Sequence, residues 1–120
     1  MDLDIIPNSP IPAYKQLFDK VSSQILSGKI AGGSPLPPIR TVSKELGISV
    51  ITVRSAWDML LNEGYIESRA GSGCFAADLS EREKSLRRQA IIKEPVKKAV
   101  DKAESLGFSK DDLIKMIRET

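Results

Sequence analysis

Residues 39–64, IRTVSKELGISVITVRSAWDMLLNEG, decide the fold of this chain. Apolar residues recur at helical spacing on both sides of Gly47, which ends one short helix and leaves Ser49 as the N-cap of the next. Pro38 is a favoured first residue for the earlier helix. Two helices joined by so short a turn cross steeply instead of packing antiparallel. The stretch therefore predicts a helix-turn-helix.

A third helix precedes this pair, and each helix has one apolar stripe that should face a common core. The stripe of the first helix, which starts at Ala13, consists of Tyr14, Leu17, Phe18, Val21, Ile25 and Leu26. The stripes of the next two consist of Ile39, Val42 and Leu46, and of Val53, Ala56, Trp57, Leu60 and Leu61. The free face of the last helix then carries Ser49, Val50, Thr52, Arg54, Ser55 and Asp58. Ile51 is expected near the border of that face.

A glycine-tipped hairpin follows the helices. Residues 65–69 and 74–76 read as two short strands around the turn Ala70-Gly71-Ser72-Gly73. Three helices and a hairpin are the elements of a winged helix-turn-helix, so the fold class is mainly α. In such a domain the last helix enters the DNA major groove.

The flanks differ in composition from this middle part. Residues 1–10 are rich in proline and predict an extended lead-in, so the winged domain should span residues 11–78. Residues 79–120 form a charged tail with a capping box at Ser80 to Glu83, and its first helix is expected to be interrupted near Pro95. An isolated helix pair is marginal in water, so its apolar residues need a partner surface, which a second copy would supply. The candidates for dimerisation are Leu86, Ile91, Ile92, Val96, Val100, Leu106, Phe108, Leu113 and Ile117.

The composition excludes several classes of function. The 120 residues include 18 basic and 16 acidic side chains, no histidine and one cysteine, Cys74. Ser–His and Cys–His catalysis and cysteine-based zinc sites are therefore impossible, and no carboxylate pair stands out. We therefore expect that the protein is not an enzyme and that it binds no cofactor and no metal. The chain also lacks a signal peptide and a long apolar run, which predicts a cytoplasmic protein without a membrane anchor.

Several motifs resemble those of GntR-type bacterial transcription regulators. Residues 11–17, IPAYKQL, are similar to the family's Pro-x-Tyr-x-Gln opening, and Leu36-Pro37-x-x-Arg40 resembles its entry to the second helix. Gly47-Ile48-Ser49, Thr52-Val53, Glu63-Gly64 and Gly71-Ser72-Gly73-x-Phe75 continue the match in order. The resemblance covers residues 10–77 and implies sequence-specific binding to double-stranded DNA.

The resemblance also assigns roles to individual residues. Arg40 matches an arginine that contacts the DNA backbone or a guanine, and Ser49, Thr52 and Arg54 match contact positions of the recognition helix. Residues 71–73 match the tip of the wing, which enters the minor groove. The full set of candidate DNA contacts is Arg40, Lys44, Ser49, Val50, Ile51, Thr52, Arg54, Ser55, Arg69, Gly71, Ser72 and Gly73.

The chain departs from the family pattern at three places. Val50 and Ile51 stand where many members have arginine or proline and then a polar residue. Aliphatic side chains pack on a thymine methyl but cannot bond to guanine, so a bias toward A·T pairs is expected there, unless the helix is shifted. Pro38 replaces a common serine, and Cys74 replaces a common threonine.

The short tail resembles the YtrA-type subfamily, in which it serves dimerisation. The resemblance implies a homodimeric repressor that binds an inverted repeat, often in an operon with an ATP-binding-cassette transporter. About 44 residues are too few for the larger effector domains of other members. A winged helix that binds protein instead of DNA is the alternative, and the sequence leaves the effector, the operator and the sign of regulation open.

Overall fold

A computed structural model describes residues 2–120 and divides them into two compact units, one up to Ser80 and the other from Glu81 to Thr120. The elements of the first unit are α1 (Ala13–Leu26), α2 (Ile39–Leu46), α3 (Val50–Asn62), β1 (Ile66–Arg69) and β2 (Gly73–Ala76). Those of the second are α4 (Glu81–Ser105) and α5 (Lys110–Arg118). This confirms the mainly helical winged helix-turn-helix that the sequence predicts.

The core of the first unit lies where α1 and α3 pack together. Leu17, Val21, Val53 and Leu60 are fully buried there, and Trp57 is 2% exposed. The predicted stripes are therefore correct with one exception. Tyr14 is 39% exposed, because it lies in the first turn of α1, beyond the end of the packed interface.

The turn between α2 and α3 is set by its own residues. Gly47 ends α2 in the left-handed region, with φ of 66°, which glycine adopts without steric cost. The Ser43 hydroxyl donates to the carbonyl of Ile48 and closes the turn. Pro38 is the N-cap of α2 and not its first residue, one position from the prediction, because its ψ of 146° is outside the helical region.

The wing has an additional edge that the sequence pattern did not indicate. β1 and β2 pair antiparallel, with Ile66 opposite Ala76 and Arg69 opposite Gly73. On the other side of β2, residues 33–36 add hydrogen bonds from Ala76 N–H to Ser34 O at 2.8 Å and from Leu36 N–H to Cys74 O at 2.9 Å. The proline-rich loop before α2 is therefore held directly against the wing.

The lead-in contains no helix or strand over residues 2–12, as expected, but it is attached to the domain. Leu3 is buried in the core. The side-chain amide of Gln16 accepts from Ile6 N–H at 2.8 Å and donates to the carbonyls of Ile6 and Ile11 at 3.1 and 2.8 Å. The glutamine of the opening motif thus has a structural role in this chain.

The second unit corrects one prediction. α4 runs without interruption from Glu81 to Ser105, so the break expected near Pro95 is wrong. Proline removes one backbone donor and crowds the preceding turn, but the residues on both sides of Pro95 stay helical. Ser109 and Asp112 form a capping box at the start of α5. Neither helix contains a buried residue.

Candidate nucleic-acid interface

A groove of about 350 Å³ lies where the start of α2, the start of α3 and the wing meet. Five of the candidate DNA contacts line it, namely Arg40, Val50, Arg54, Ser72 and Gly73. The remaining wall consists of residues 36–39 together with Trp57 and Cys74. Residues as far apart in the chain as Leu36 and Cys74 thereby lie on one surface.

The two arginines of the groove are available for a ligand. Within residues 2–120, the guanidinium groups of Arg40 and Arg54 form no hydrogen bond or ion pair, and both residues are exposed. A guanidinium can bind a phosphate or the O6 and N7 atoms of a guanine. The groove therefore offers two unpaired cations to an anionic partner.

The helix starts add to this positive potential. The first turns of α2 and α3 contain no acidic residue, so the positive ends of both helix dipoles stay uncompensated. α4 and α5 differ, because Glu81 and Glu83 lie in the first turn of one and Asp111 and Asp112 in that of the other. The first turn of α1 also lacks acidic residues, but α1 does not line the groove. Helix N-termini without acids favour phosphate, and those of α2 and α3 lie at the groove.

The first turn of α3 is held by its predicted cap. Ser49 Oγ accepts from Thr52 N–H at 3.0 Å and lies 2.8 Å from Thr52 Oγ1. Ser55 Oγ donates to the Ile51 carbonyl at 3.0 Å. Ser49 and Ser55 are exposed and Thr52 is half-buried, so a ligand can reach the two serine hydroxyls.

Ile51 is not near the border of the free face, as expected from the sequence, but in its middle. Its exposed fraction is 77%, the highest among the exposed large hydrophobic residues within residues 2–120. Ile51 follows the helical period to the side opposite Val53 and Ala56, which are fully buried. Val50 is half-buried and faces the groove instead.

The tip of the wing is narrow and open. Ser72 N–H donates to Arg69 O at 2.9 Å, and Gly71 has φ of 74°, which the third residue of this turn requires. No heavy atom lies within 4 Å of the position that a Cβ of Gly71 or Gly73 would take. A DNA backbone or groove can therefore approach the tip closely.

Arg69 is positioned by an aromatic ring. Its guanidinium carbon lies 4.1 Å from the centroid of Phe75, a diagonal neighbour across the two strands. The structure does not bring Arg69 or Lys44 into the groove, since Arg69 is at the end of β1 and Lys44 in the last turn of α2. Both are exposed on the same unit.

The sequence pattern did not reveal which apolar residues form the wall of the groove. Leu36 and Pro37 were recognised only as part of a motif, and Trp57 only as a core residue. Trp57 is indeed 2% exposed, yet it lines the groove together with Arg40 and Arg54. The double proline before α2 was the one available signal, because it fixes the backbone that carries Arg40.

Cys74 is a half-buried strand residue. Burial raises the pKa of its thiol above the usual value of 9.0, and the nearby carboxylate of Asp58 raises it further. Since the thiolate is the reactive form, Cys74 is poorly suited to redox sensing.

Among residues 2–120, no group of three or more His, Cys, Asp or Glu side chains is arranged to hold a metal ion. Over the same residues, no helix has both the length and the apolarity to cross a membrane.

The family model of the bacterial regulatory proteins, gntR family, matches residues 13–76. A probable rhizopine catabolism regulatory protein, MocR, from Rhizobium meliloti is 42% identical over 72 residues, which are 60% of this chain and 15% of that protein. The transcriptional repressor NagR from Bacillus subtilis is 37% identical over 75 residues, which are 62% of this chain and 31% of that protein. The chain thus spans less than a third of the length of these relatives, which are named as regulators and not as enzymes.

Solved structures show the same fold. A GntR family transcriptional regulator from Listeria monocytogenes superposes with a TM-score of 0.84 over 94% of this chain and 98% of that one, at 20% identity. YtrA from Sulfolobus acidocaldarius gives 0.61 over 78% and 97% of the two chains, at 28% identity. The DNA-binding domain of AraR in complex with an operator gives 0.57 over 64% and 99%, at 29% identity.

The family match covers α1 and the two helices and hairpin that line the groove, and the AraR domain to which this chain is similar is bound to DNA. The chain therefore belongs to the gntR family of bacterial regulatory proteins and contains the winged-helix DNA-binding domain of that family.

Proposed function

We propose that this chain is a sequence-specific transcriptional regulator that binds duplex DNA with the surface around the α2–α3–wing groove. The observation that carries the proposal is the pair of unpaired guanidinium groups, Arg40 and Arg54, in one groove beside the start of α3. Ile51 and Ser55 are exposed at the same helix start, and Thr52 is half-buried there. Cations beside a recognition helix are the usual means of positioning such a helix on DNA.

The individual roles follow from the chemistry of each group. The first two turns of α3 enter the major groove, where Arg54 reaches a base edge or a phosphate. Arg40 and the Ser49 region bind the phosphates that border this groove. Gly71, Ser72 and Gly73 approach the minor groove, and Arg69 and Lys44 contact the flanking backbone.

The protein acts as a homodimer through its second unit. Leu86, Ile91, Ile92, Val96, Leu106, Phe108 and Ile117 are all exposed, and Val100 and Leu113 are only half-buried. An apolar surface of this extent favours association. A contact that buries about 1,500 Å² would be ordinary for a stable dimer. A two-fold dimer presents two recognition helices and so selects an inverted repeat.

The finer assignment is a YtrA-type repressor that acts in the cytoplasm on an operon encoding an ATP-binding-cassette transporter. The resemblance of the tail and the likeness to YtrA support the subfamily. Relatives such as NagR are named repressors, which supports the sign of regulation. Repression follows physically if the bound dimer covers the promoter.

A salt-dependent titration tests the proposal. Fluorescence anisotropy measures binding of the full chain to duplexes from the promoter of its own gene at two salt concentrations. The variant Arg40→Ala/Arg54→Ala should lose at least tenfold in affinity, and the log–log salt slope should fall by about 0.9 for each phosphate contact removed. The variant Lys20→Ala/Lys29→Ala removes two charges outside the groove and serves as the matched control.

Equal losses in the two double variants would contradict the assigned surface, because net charge alone would then explain them. Weak binding by all forms that does not depend on salt would contradict DNA binding itself. That result would favour the alternative, a winged helix that binds another protein. Analytical ultracentrifugation of the same samples tests the dimer.

A further inference from the structure

Ile51 is an exposed apolar side chain among mostly polar residues. It is 77% exposed. At the start of α3 the exposed neighbours are Ser49, Arg54 and Ser55, and the half-buried ones are Val50 and Thr52. Over residues 2–80, the other exposed large hydrophobic residues are Ile6 and Ile11, which precede α1, and Tyr14, which lies in its first turn. Within α3, Ile51 is the exposed large hydrophobic residue, so this helix by itself offers no apolar patch of the kind that a protein-docking surface needs.

The exposed side chain of Ile51 is suited to contact one chemical group in the DNA major groove. The major groove presents donors, acceptors and a single kind of apolar group, the methyl on C5 of a pyrimidine. An isoleucine side chain has no polar atom, so among the groups on the base edges it packs best against that methyl. Val50 differs, because it is half-buried against the groove that contains Arg40 and Arg54.

From this geometry we propose that Ile51 is a specificity-determining residue that recognises a pyrimidine 5-methyl group in each half-site. The inference rests on the proposed DNA-binding function. The methyl can belong to thymine or to 5-methylcytosine, which present the same apolar group on different bases. Arg40, Arg54 and the wing supply most of the affinity, and Ile51 supplies discrimination at one base position.

The experiment starts from a duplex that the wild-type full chain selects from random sequence. Each thymine of the half-site is replaced in turn by deoxyuridine, symmetrically in both half-sites, which removes the methyl and leaves the base-pairing edge unchanged. At one position the affinity of the wild type should fall by about fourfold for each methyl, the effect of burying one such group. Ile51→Ala should bind the thymine and deoxyuridine duplexes equally.

Val50→Ala is the matched control and should keep the sensitivity to deoxyuridine. At the position so identified, a C·G pair and a 5-methylcytosine·G pair distinguish the two sources of the methyl. The wild type should bind the methylated duplex about fourfold more tightly per methyl than the unmethylated one, and Ile51→Ala should bind both alike. Because Ile51 is exposed, the alanine variant should fold, which circular dichroism checks.

A wild-type scan without any deoxyuridine-sensitive position would overturn the inference, and so would undiminished sensitivity in Ile51→Ala. In both cases salt-dependent binding to the selected duplex would remain, and the proposed function would stand. Failure to select any duplex would instead overturn the proposed function and this inference together. Sensitivity to thymine but not to 5-methylcytosine would overturn the claim that the methyl itself is recognised.

Discussion

The side-chain amide of Gln16 both accepts a hydrogen bond from Ile6 N–H and donates one to Ile6 O, at 2.8 and 3.1 Å. A third bond, to Ile11 O at 2.8 Å, joins the same amide to the residue that precedes the N-cap of α1, Pro12. Over residues 2–12 the lead-in contains no strand, and these three bonds of one side chain hold its backbone against the start of α1. The stretch beside it, residues 5–9, lines one groove together with Leu46, Gly47 and Ile48 of the turn that joins α2 to α3.

Replacement of Gln16 should release the lead-in. Gln16→Ala removes three hydrogen bonds, and because these bonds are exposed we expect a loss of about 1–2 kcal/mol in the free energy of unfolding. The amide of Ile6 should then lose its protection against hydrogen exchange, which NMR measures residue by residue. Gln89→Ala is the control, since Gln89 bonds only to Ser85 on an exposed helix face. Unchanged exchange at Ile6 would contradict the anchoring role.

The cap at Ser49 should stabilise the recognition helix. Ser49→Ala leaves the Thr52 amide without its acceptor, and removal of an N-cap costs about 1 kcal/mol. Urea unfolding followed by circular dichroism measures the change. Ser55→Ala, which removes an exposed hydroxyl bonded to a helix carbonyl, should change stability by less than about 0.5 kcal/mol. A smaller loss for Ser49→Ala than for Ser55→Ala would refute the capping role.

Pro95 should limit the stability of the second unit. Because α4 continues through this residue, Pro95→Ala supplies an amide to the carbonyl of Ile91 without a change of fold. The substitution should raise the helix content and thermal stability of the full chain, by up to about 3 kcal/mol for an interior proline. Lys97→Ala, on the same exposed helix, is the control. A decrease in stability would mean that the proline has a structural purpose.

The thiol of Cys74 should react slowly. Burial and the Asp58 carboxylate raise its pKa above 9.0, so the neutral thiol predominates at pH 7 to 8. The rate of alkylation by iodoacetamide should be lower than in the urea-unfolded chain and should increase as the pH rises through 9 toward the folded pKa. Because the raised pKa means that folding favours the protonated thiol, its contribution to stability is present below 9.0 and disappears as the pH rises through the folded pKa. Asp58→Asn should speed the reaction, and a fast reaction at pH 7 would contradict this account.

The sequence predicted the fold of the first unit well because its signals are local. Gly47, Ser49 and the stripe around Val53 specify the turn and the buried face by spacing alone. The pairing of residues 33–36 with β2 was missed because three prolines in and beside that loop conceal the strand pattern. The helix break expected near Pro95 does not occur, because the helix-forming residues on both sides outweigh one proline.

The site was predictable in part. Family motifs identified Arg40, Arg54 and the wing tip, but only the three-dimensional structure showed that they share one groove. The exposure of Ile51 could have been derived from the helical period, because it is about half a turn from the centre of the buried stripe. Contacts between distant residues, such as Arg69 with Phe75, depend on strand register, which composition does not specify.

Tethered DNA cleavage tests the central claim, that the start of α3 and the wing tip face the DNA. In a Cys74→Ser background, an iron–EDTA group is attached to a cysteine introduced by Ile51→Cys, by Ser72→Cys or, as the control, by Lys20→Cys on α1. We expect two symmetric cleavage clusters in the selected duplex from position 51, flanking clusters from position 72, and background cleavage from position 20. Cleavage from position 51 no stronger than from position 20 would contradict the claim.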